Sequence, residues 1–412
     1  MDSQFSIVPG WSWVIALIFG AAIGSFLNVV IYRLPRGLSL SNPPKSFCPI
    51  CKHSLGVPDL FPLFSYLLAR GKCRYCHTPF SSRYFWVELL NGSLWAVIWH
   101  QFMFVQYDPL RTGFYCLTTA ALVSVFFIDW ELYIIPDELN AFLLLFGIVY
   151  QVLNKTPLVG VMGALMGWGM LTGIAMFGRV LFGKDAMGHG DIKMMRGVGA
   201  LLGGPMLCVN MVIAVVAGLV FGIAMLVIAS RQATTDAAVA VVESTEPVEG
   251  GEGTGEQPTP VLAAEEEELA PESIGSLIIH GAWYLFCLDI VGIFAPGIYK
   301  WIGENPSEEL IEDDNWKPSL TTIPFGPYLA VGAVVCMLFA PQIEKGLSNY
   351  WKTVTHAASL EHSGSKGFVE IEPNRLNCRA GYSIGSAMSG AGWVASDSRC
   401  DVTGGSQWNK KI

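Results

Sequence analysis

Charged residues are scarce in this chain. Asp, Glu, Lys and Arg make up 14% of its 412 residues, and 52% are hydrophobic, whereas soluble domains carry about a quarter charged residues. Several apolar runs are long enough to cross a bilayer, which takes about 20 residues. The composition therefore excludes an ordinary soluble globular protein and predicts an all-α polytopic membrane protein surrounded by the lipid bilayer.

Positive charge is missing from the N-terminal flank. No Lys or Arg precedes Arg33, whereas a secretory signal peptide begins with a positively charged region. The apolar residues of 1–32 therefore predict a first transmembrane helix. Because positive residues collect on the cytoplasmic side of membranes, and Arg36 follows closely, we expect the chain to emerge from this helix in the cytoplasm.

Acidic residues are almost absent from segment 33–83, which holds eight Lys or Arg against the single acid Asp59. This bias predicts a cytoplasmic loop lying against an anionic lipid surface. The net charge of -9 comes largely from 231–273, which carries eleven acids and one Arg. Such a segment cannot bury enough apolar surface to order itself, so we expect a disordered acidic linker. Neither segment indicates a nucleic-acid partner.

Apolar runs divide the remainder of the chain. A membrane core is predicted over 84–230, with runs at about 84–105, 113–128, 139–153, 157–182, 192–203 and 206–229. Segment 274–322 is predicted to be an interfacial or re-entrant insertion, because its apolar part contains ionisable residues and a proline. A last transmembrane helix is expected over 323–343, and a poorly ordered tail over 344–412. If the insertion spans as well, the tail changes sides.

Four of the ten cysteines form two pairs, Cys48-x-x-Cys51 and Cys73-x-x-Cys76, with 21 residues between the pairs. Two knuckles at this spacing are typical of a tetrahedral tetrathiolate zinc site. Because the cytoplasm is reducing, a disulfide is the weaker alternative, and free thiols are another. Four sulfur ligands leave no open coordination position, so the predicted Zn²⁺ is structural.

Two aspartates are candidates for catalysis. Asp129 lies at the end of one apolar run, and Asp191 follows a Gly-His-Gly turn at the start of another. Ionisable groups at membrane depth are energetically expensive and are functional candidates by default. Two adjacent carboxyl groups share one proton, so that one activates water while the other polarises a peptide carbonyl. Each aspartate alone would more simply be a helix cap or a solvated charge.

Neighbouring residues support this interpretation. Gly188 and Gly190 allow the backbone to leave helical geometry, or to approach another segment closely. Pro136 is expected to break the helix that carries the first aspartate, and Asp137 to cap the next helix. Lys193 agrees with a cytoplasmic position of this end of the core.

The ordered set of motifs resembles the type IV prepilin peptidases, also called prepilin leader peptidase/N-methyltransferases. Four stretches carry the likeness, namely Gly24-Ser-Phe-Leu-Asn28, the cysteine region through Val87-Glu88, the Asp129 and Gly-His-Gly-Asp191 motifs, and Ile323-Pro-Phe-Gly326-Pro-Tyr-Leu-Ala330. The resemblance covers about residues 10–230 and 323–342. The linker, the insertion and the tail depart from the family pattern.

This resemblance implies about eight transmembrane helices in the bacterial inner membrane, with an active site near the cytoplasmic face. It implies an aspartyl endopeptidase whose catalytic pair is Asp129 and Asp191. Its substrates would be type IV prepilins and type II secretion pseudopilins, cleaved after a glycine. The Gly-x-Gly-Asp motif is shared with presenilin-like intramembrane proteases.

The resemblance also implies N-methylation of the new N terminus with S-adenosylmethionine. No glycine-rich loop after a strand indicates a methyl-donor site, so Gly24, Glu88 and Asn91 are candidates by likeness only. Two alternatives stay open. One is a protease without methyltransferase activity, and the other is a non-enzymatic zinc-binding transport or assembly protein that uses its carboxylates as a proton relay.

Overall fold

The computed structural model describes residues 8–42, 46–48, 50–56, 59–183, 187–243, 274–285, 287, 289–291 and 324–364. Within these ranges the chain is helical, and β pairing is confined to isolated bridges. The helices are α1 (Trp13–Arg33), α2 (Phe64–Leu68), α3 (Arg83–Ile98), α4 (Pro109–Leu132), α5 (Asp137–Leu153), α6 (Pro157–Phe182), α7 (His189–Leu202), α8 (Gly204–Glu243), α9 (Ile274–Leu285), α10 (Gly326–Leu338) and α11 (Ala340–Gly364). A π-helical segment, Trp99–Val105, extends α3.

The structure is that of a membrane protein with four helices long and apolar enough to span a bilayer. They are α1 with the turn after it, α4, α6 and the Gly204–Ile228 part of α8. α3, α5 and α7 have 16, 17 and 14 residues, short of the about 20 that a span takes, and α3 becomes longer only with its seven-residue π-helical extension. By length and composition, the described residues therefore supply four or five spans, and the eight implied by the family resemblance are not confirmed.

The expected last span, 323–343, is not one straight helix. α10 and α11 are long and apolar enough for a fifth span only when they are taken together, and the chain bends by 80° between them. Pro341 lies in the first turn after the bend. Proline lacks an N–H group and its ring clashes with the preceding helical turn, so a straight helix cannot continue through this position.

Two helices run beyond the apolar stretches that predict them. α8 continues to Glu243, inside the segment predicted to be a disordered linker, and α11 continues to Gly364, inside the predicted tail. Residues 232–241 are rich in alanine, the best helix former, and each residue added to an existing helix brings one more hydrogen bond. The structure therefore differs from the predicted disorder in these two stretches. The remainder of both segments, and most of the insertion, lie outside the described residues.

α7 lies at the centre of the described bundle. Every residue from Asp191 to Leu201 is buried. A Cβ atom added to Gly197 would lie 2.7 Å from Leu143 Cβ on α5, closer than side-chain carbons approach one another. Small residues of this kind let membrane helices approach backbone to backbone, and here they hold the helix that carries the second aspartate.

α1 and α3 form a second close pair. A Cβ atom on Gly24 would lie 2.7 Å from Glu88 Cα, so glycine is required for the two helices to meet. The Asn91 side-chain amide donates a hydrogen bond to the Gly20 carbonyl at 2.7 Å. Gly24 and Asn91, which the resemblance offered as cofactor residues, thus lie in a helix contact.

Candidate active site and metal centre

Asp129 lies in the last turn of α4 and is buried. The helix ends because Tyr133 adopts a left-handed conformation and donates its N–H to the Asp129 carbonyl at 3.0 Å. The sequence predicted that Pro136 breaks α4, and this is wrong, because the helix already ends at Leu132. Pro136 occupies the position before α5, and Asp137 is the first residue of that helix instead of its cap.

Asp137 is paired with Lys193. The Lys193 ammonium donates to both carboxylate oxygens at 3.0 Å. The side chains of Lys193 and Asp137 are 7% and 14% exposed. The pair ties the start of α5 to α7. The sequence indicated only a cytoplasmic position for Lys193, whereas the structure places it in a link between two helices of the core.

Asp191 lies in the first turn of α7 and is 9% exposed. Gly188 precedes the helix in an extended conformation. Gly190 is helical, and a Cβ atom there would lie 3.0 Å from Ile135 Cβ. One glycine thus leaves helical geometry and the other allows a close approach to the connection between α4 and α5.

The structure brings Asp129 and Asp191 together. Their carboxyl groups interact electrostatically, although they are carried by different helices. Ile135 links their surroundings, because Cβ atoms added at Gly190 and at Gly326 would each lie 3.0 Å from an atom of its side chain. Ionisation of one of these buried carboxyl groups therefore disfavours ionisation of the other.

Gly326, the first residue of α10, completes the surroundings of Asp129. Its backbone lies against the Asp129 carboxylate, and a Cβ atom there would lie 2.5 Å from Asp129 Oδ2. The sequence indicates Gly326 only as part of a family motif and does not reveal this contact. The available signal was a glycine between two prolines, Pro324 and Pro327, at the start of an apolar helix.

The four predicted metal ligands converge. The Sγ atoms of Cys48, Cys51, Cys73 and Cys76 all lie within 4.8 Å of one another, and those of Cys48 and Cys76 are 3.8 Å apart. Sulfurs at about 2.3 Å from a tetrahedral Zn²⁺ lie about 3.8 Å from one another, so the donor set fits the ion. None of the cysteines in the described ranges forms a disulfide.

The two knuckles have the same local geometry. In each, the residue after the second cysteine, Lys52 or His77, has a φ of 58° or 57°. It donates its N–H to the carbonyl of the first cysteine at 2.9 Å. The Thr78 hydroxyl, 3.3 Å from Cys76 Sγ, lowers the pKa of that thiol to about 6. The thiolate is the form that binds metal, so the surroundings of Cys76 favour its metal-binding form.

A cavity opens between α1, α3 and the cysteine loop, the segment 33–83 that carries the four clustered cysteines. About 180 Å³ of it is open to the centres of water-sized molecules, and aromatic, acidic and basic groups line it together. Glu88 lines it, and its carboxylate accepts the Leu63 N–H at 2.7 Å. Asn28 lines it too, and its Oδ1 is buried with no hydrogen-bond partner among the described residues. Such an orphaned acceptor is suited to a bound polar ligand.

Two family models match this chain. Residues 18–102 match the bacterial peptidase A24 N-terminal domain, and residues 116–223 match the type IV leader peptidase family. The first match contains the four cysteines and the cavity, whereas the second contains both aspartates. No solved structure matches the chain significantly.

Similar proteins named prepilin leader peptidase/N-methyltransferase come from several bacteria. The one from Aeromonas hydrophila is 33% identical over 256 residues, which cover 55% of this chain and 87% of the relative. The one from Neisseria gonorrhoeae is 34% identical, with 56% and 87% covered. The one from Myxococcus xanthus is 30% identical over 348 residues, with 83% and 96% covered, a span too long to leave out the insertion. The chain therefore belongs to the type IV leader peptidase family.

Proposed function

We propose that this protein is an aspartyl endopeptidase of the bacterial inner membrane that removes the leader of type IV prepilins or type II secretion pseudopilins. Cleavage follows a glycine near the cytoplasmic face, and the new N terminus is then methylated. The observation that carries the protease proposal is the pair of buried carboxyl groups of Asp129 and Asp191, which interact although they come from different helices. The names of the relatives support both activities.

The hydrogen bonds around the pair favour a division of roles. The Asp129 carboxylate lies against Gly326 at the start of α10, and the N-terminus of a helix favours negative charge, which suits Asp129 to be the ionised group. Asp191 Oδ1 is buried and has no hydrogen-bond partner in the described part of the chain, which suits this residue to carry the shared proton. When the charged form of one member is stabilised and the other member is buried, the pKa values of the two carboxyl groups move apart.

The proposed reaction needs no covalent intermediate. Asp129 takes a proton from water as the water oxygen adds to the peptide carbonyl carbon, while Asp191 donates a hydrogen bond to the carbonyl oxygen. The tetrahedral intermediate then collapses, the C–N bond breaks, and the proton held by Asp129 passes to the leaving amine. Water is consumed, and a carboxylic acid and an amine are formed.

Co-expression with a prepilin tests the protease proposal. A prepilin supplied with the full chain should lose its leader, which is read as a mobility shift on a gel and as an N-terminal sequence that begins just after the glycine. A prepilin that keeps its leader in the presence of folded, membrane-inserted protein would contradict the proposal.

The cysteine cluster is proposed to hold one structural Zn²⁺. Purified protein should contain about one zinc per chain by elemental analysis. Replacing Cys48 and Cys73 by serine removes one ligand from each knuckle, so the metal should be lost. Cys208→Ser changes an exposed cysteine of α8 and is the matched control that should keep the zinc. A double variant that retains the metal would rule out this site.

The cavity beside the cysteine loop is proposed to bind S-adenosylmethionine, which supplies an electrophilic methyl group. Its lining fits each part of that molecule. Tyr66 and Tyr84 can stack on the adenine, Glu88 can meet the positive charge, and Lys72 can meet the carboxylate. The orphaned Asn28 Oδ1 can accept from the ribose or the amino group.

Glu88→Gln is expected to weaken donor binding about tenfold or more, because it replaces a charged partner by a neutral one. The measurement is calorimetric titration with S-adenosylhomocysteine, with mass spectrometry of the mature pilin N terminus as a second readout. Leader cleavage should stay unchanged. Glu344→Gln, at an exposed position of α11, is the control. Unchanged affinity in the Glu88 variant would place the donor elsewhere, and an unmethylated product with the unaltered enzyme would favour a protease without methyltransferase activity.

A further inference from the structure

The described part of the insertion lies against the protease core. α9 packs on α6, where the Trp168 indole N–H donates to the Gly281 carbonyl at 2.9 Å. Its C-terminal residues reach α7, the helix that carries Asp191. This contact involves a segment that lies outside both matched family models.

Tyr284 is the centre of this contact and is 1% exposed. Its hydroxyl lies 2.8 Å from His189 Nδ1. Its ring lies 4.7 Å from the Lys193 ammonium, in cation–π geometry. Its carbonyl accepts a hydrogen bond from the Arg196 guanidinium. One residue of the insertion therefore touches three residues of α7.

A buried ion pair strengthens the contact. The Arg196 guanidinium donates to the two carboxylate oxygens of Asp289 at 3.1 and 2.5 Å. The two side chains are only 4% and 3% exposed. Removing one member of such a pair leaves an uncompensated buried charge, which is strongly unfavourable. The pair therefore resists any rotation or shift of α7 that would separate its members.

The three contacted residues of α7 share one face of the helix. His189, Lys193 and Arg196 are spaced by four and three residues, which is the spacing of side chains stacked along one side. Asp191 comes two residues after His189, about 200° around the axis at 3.6 residues per turn. The insertion thus holds the face of α7 opposite to the one that presents Asp191 to Asp129.

We propose that the described residues of this part of the chain, 274–285, 287 and 289–291, form a positioning strap, in which Tyr284 and Asp289 fix the rotational setting of α7 and so direct Asp191 toward Asp129. The inference rests on the proposed protease function. Neither residue touches the reacting atoms in this scheme. They act through Arg196 and His189 on the direction of one carboxyl group.

Tyr284→Phe and Asp289→Asn test the strap in the full-length protein. Tyr284→Phe keeps the ring and the carbonyl and removes only the hydroxyl that meets His189. Each variant should lower kcat for leader cleavage about tenfold with KM unchanged, because a small misplacement of a catalytic group lowers the rate without weakening substrate binding. Asp289→Glu should recover part of the loss. Ile279→Ala, at an exposed position of α9, is the matched control and should behave as the unaltered enzyme.

Methylation of a pilin that already lacks its leader separates positioning from general folding. The donor cavity is lined by residues of α1, α3 and the cysteine loop and by none of the strap, so the strap variants should methylate this substrate normally and keep their zinc. An equal loss of both activities would overturn the positioning role. Unchanged cleavage in both variants would also overturn it, provided that Asp191→Asn abolishes cleavage. If Asp191→Asn still cleaves, the protease proposal itself fails.

Discussion

Asp129→Asn and Asp191→Asn are each expected to reduce leader cleavage by about 10³-fold or more. Each substitution keeps the size of the side chain and removes one of the two carboxyl groups that handle the proton, and general acid–base catalysis contributes about 10²–10⁴-fold per group. The measurement is the rate of leader removal from a purified prepilin in detergent or in vesicles. The variants should still bind the substrate and keep their zinc.

Asp137→Asn is the control for that experiment. Asp137 lies in the same part of the chain as Asp129, but its carboxylate is paired with Lys193. An asparagine retains an oxygen that can accept from the ammonium group, so much of the activity should remain. If Asp129→Asn or Asp191→Asn kept the full rate, the catalytic assignment would be wrong. If Asp137→Asn alone abolished cleavage, the pair would have to be reassigned.

Gly326→Ala is expected to lower the cleavage rate about 100-fold. The added methyl group would lie 2.5 Å from Asp129 Oδ2 and 3.0 Å from Ile135 Cδ1, so the carboxylate must move. A displacement of about 1 Å in a catalytic group can lower a rate by about 10². The effect should fall on kcat, and it should be absent from donor binding and from zinc content.

Gly113→Ala makes the same chemical change on α4, the helix that carries Asp129, and a Cβ atom there would meet nothing within 4 Å. Alanine is also the better helix former, so this control should be as active and as stable as the unaltered protein. An active Gly326→Ala variant would show that the start of α10 does not position Asp129. A variant that fails to insert would be recognised by its lost zinc and methylation.

The local chemistry could be predicted from the sequence because it depends on short spacings. Two Cys-x-x-Cys pairs bring sulfurs together through a few backbone angles, and the converging Sγ atoms agree with that prediction. Apolar runs similarly predict helices, since a chain in lipid must satisfy its own backbone hydrogen bonds. The limits of these helices were less predictable, because α8 and α11 continue on helix propensity beyond their apolar residues.

By itself, the sequence determined the membrane class, the helices of the core, the cysteine ligands and the two aspartates as separate candidates. Only the tertiary structure decided that Asp129 and Asp191 come within electrostatic range of each other, that Gly326 contacts the first of them, and that Tyr284 and Asp289 contact the helix of the second. The physical reason is that each of these contacts joins residues distant in the chain. Their proximity follows from how close glycine-bearing helices can pack, a property that no single segment carries.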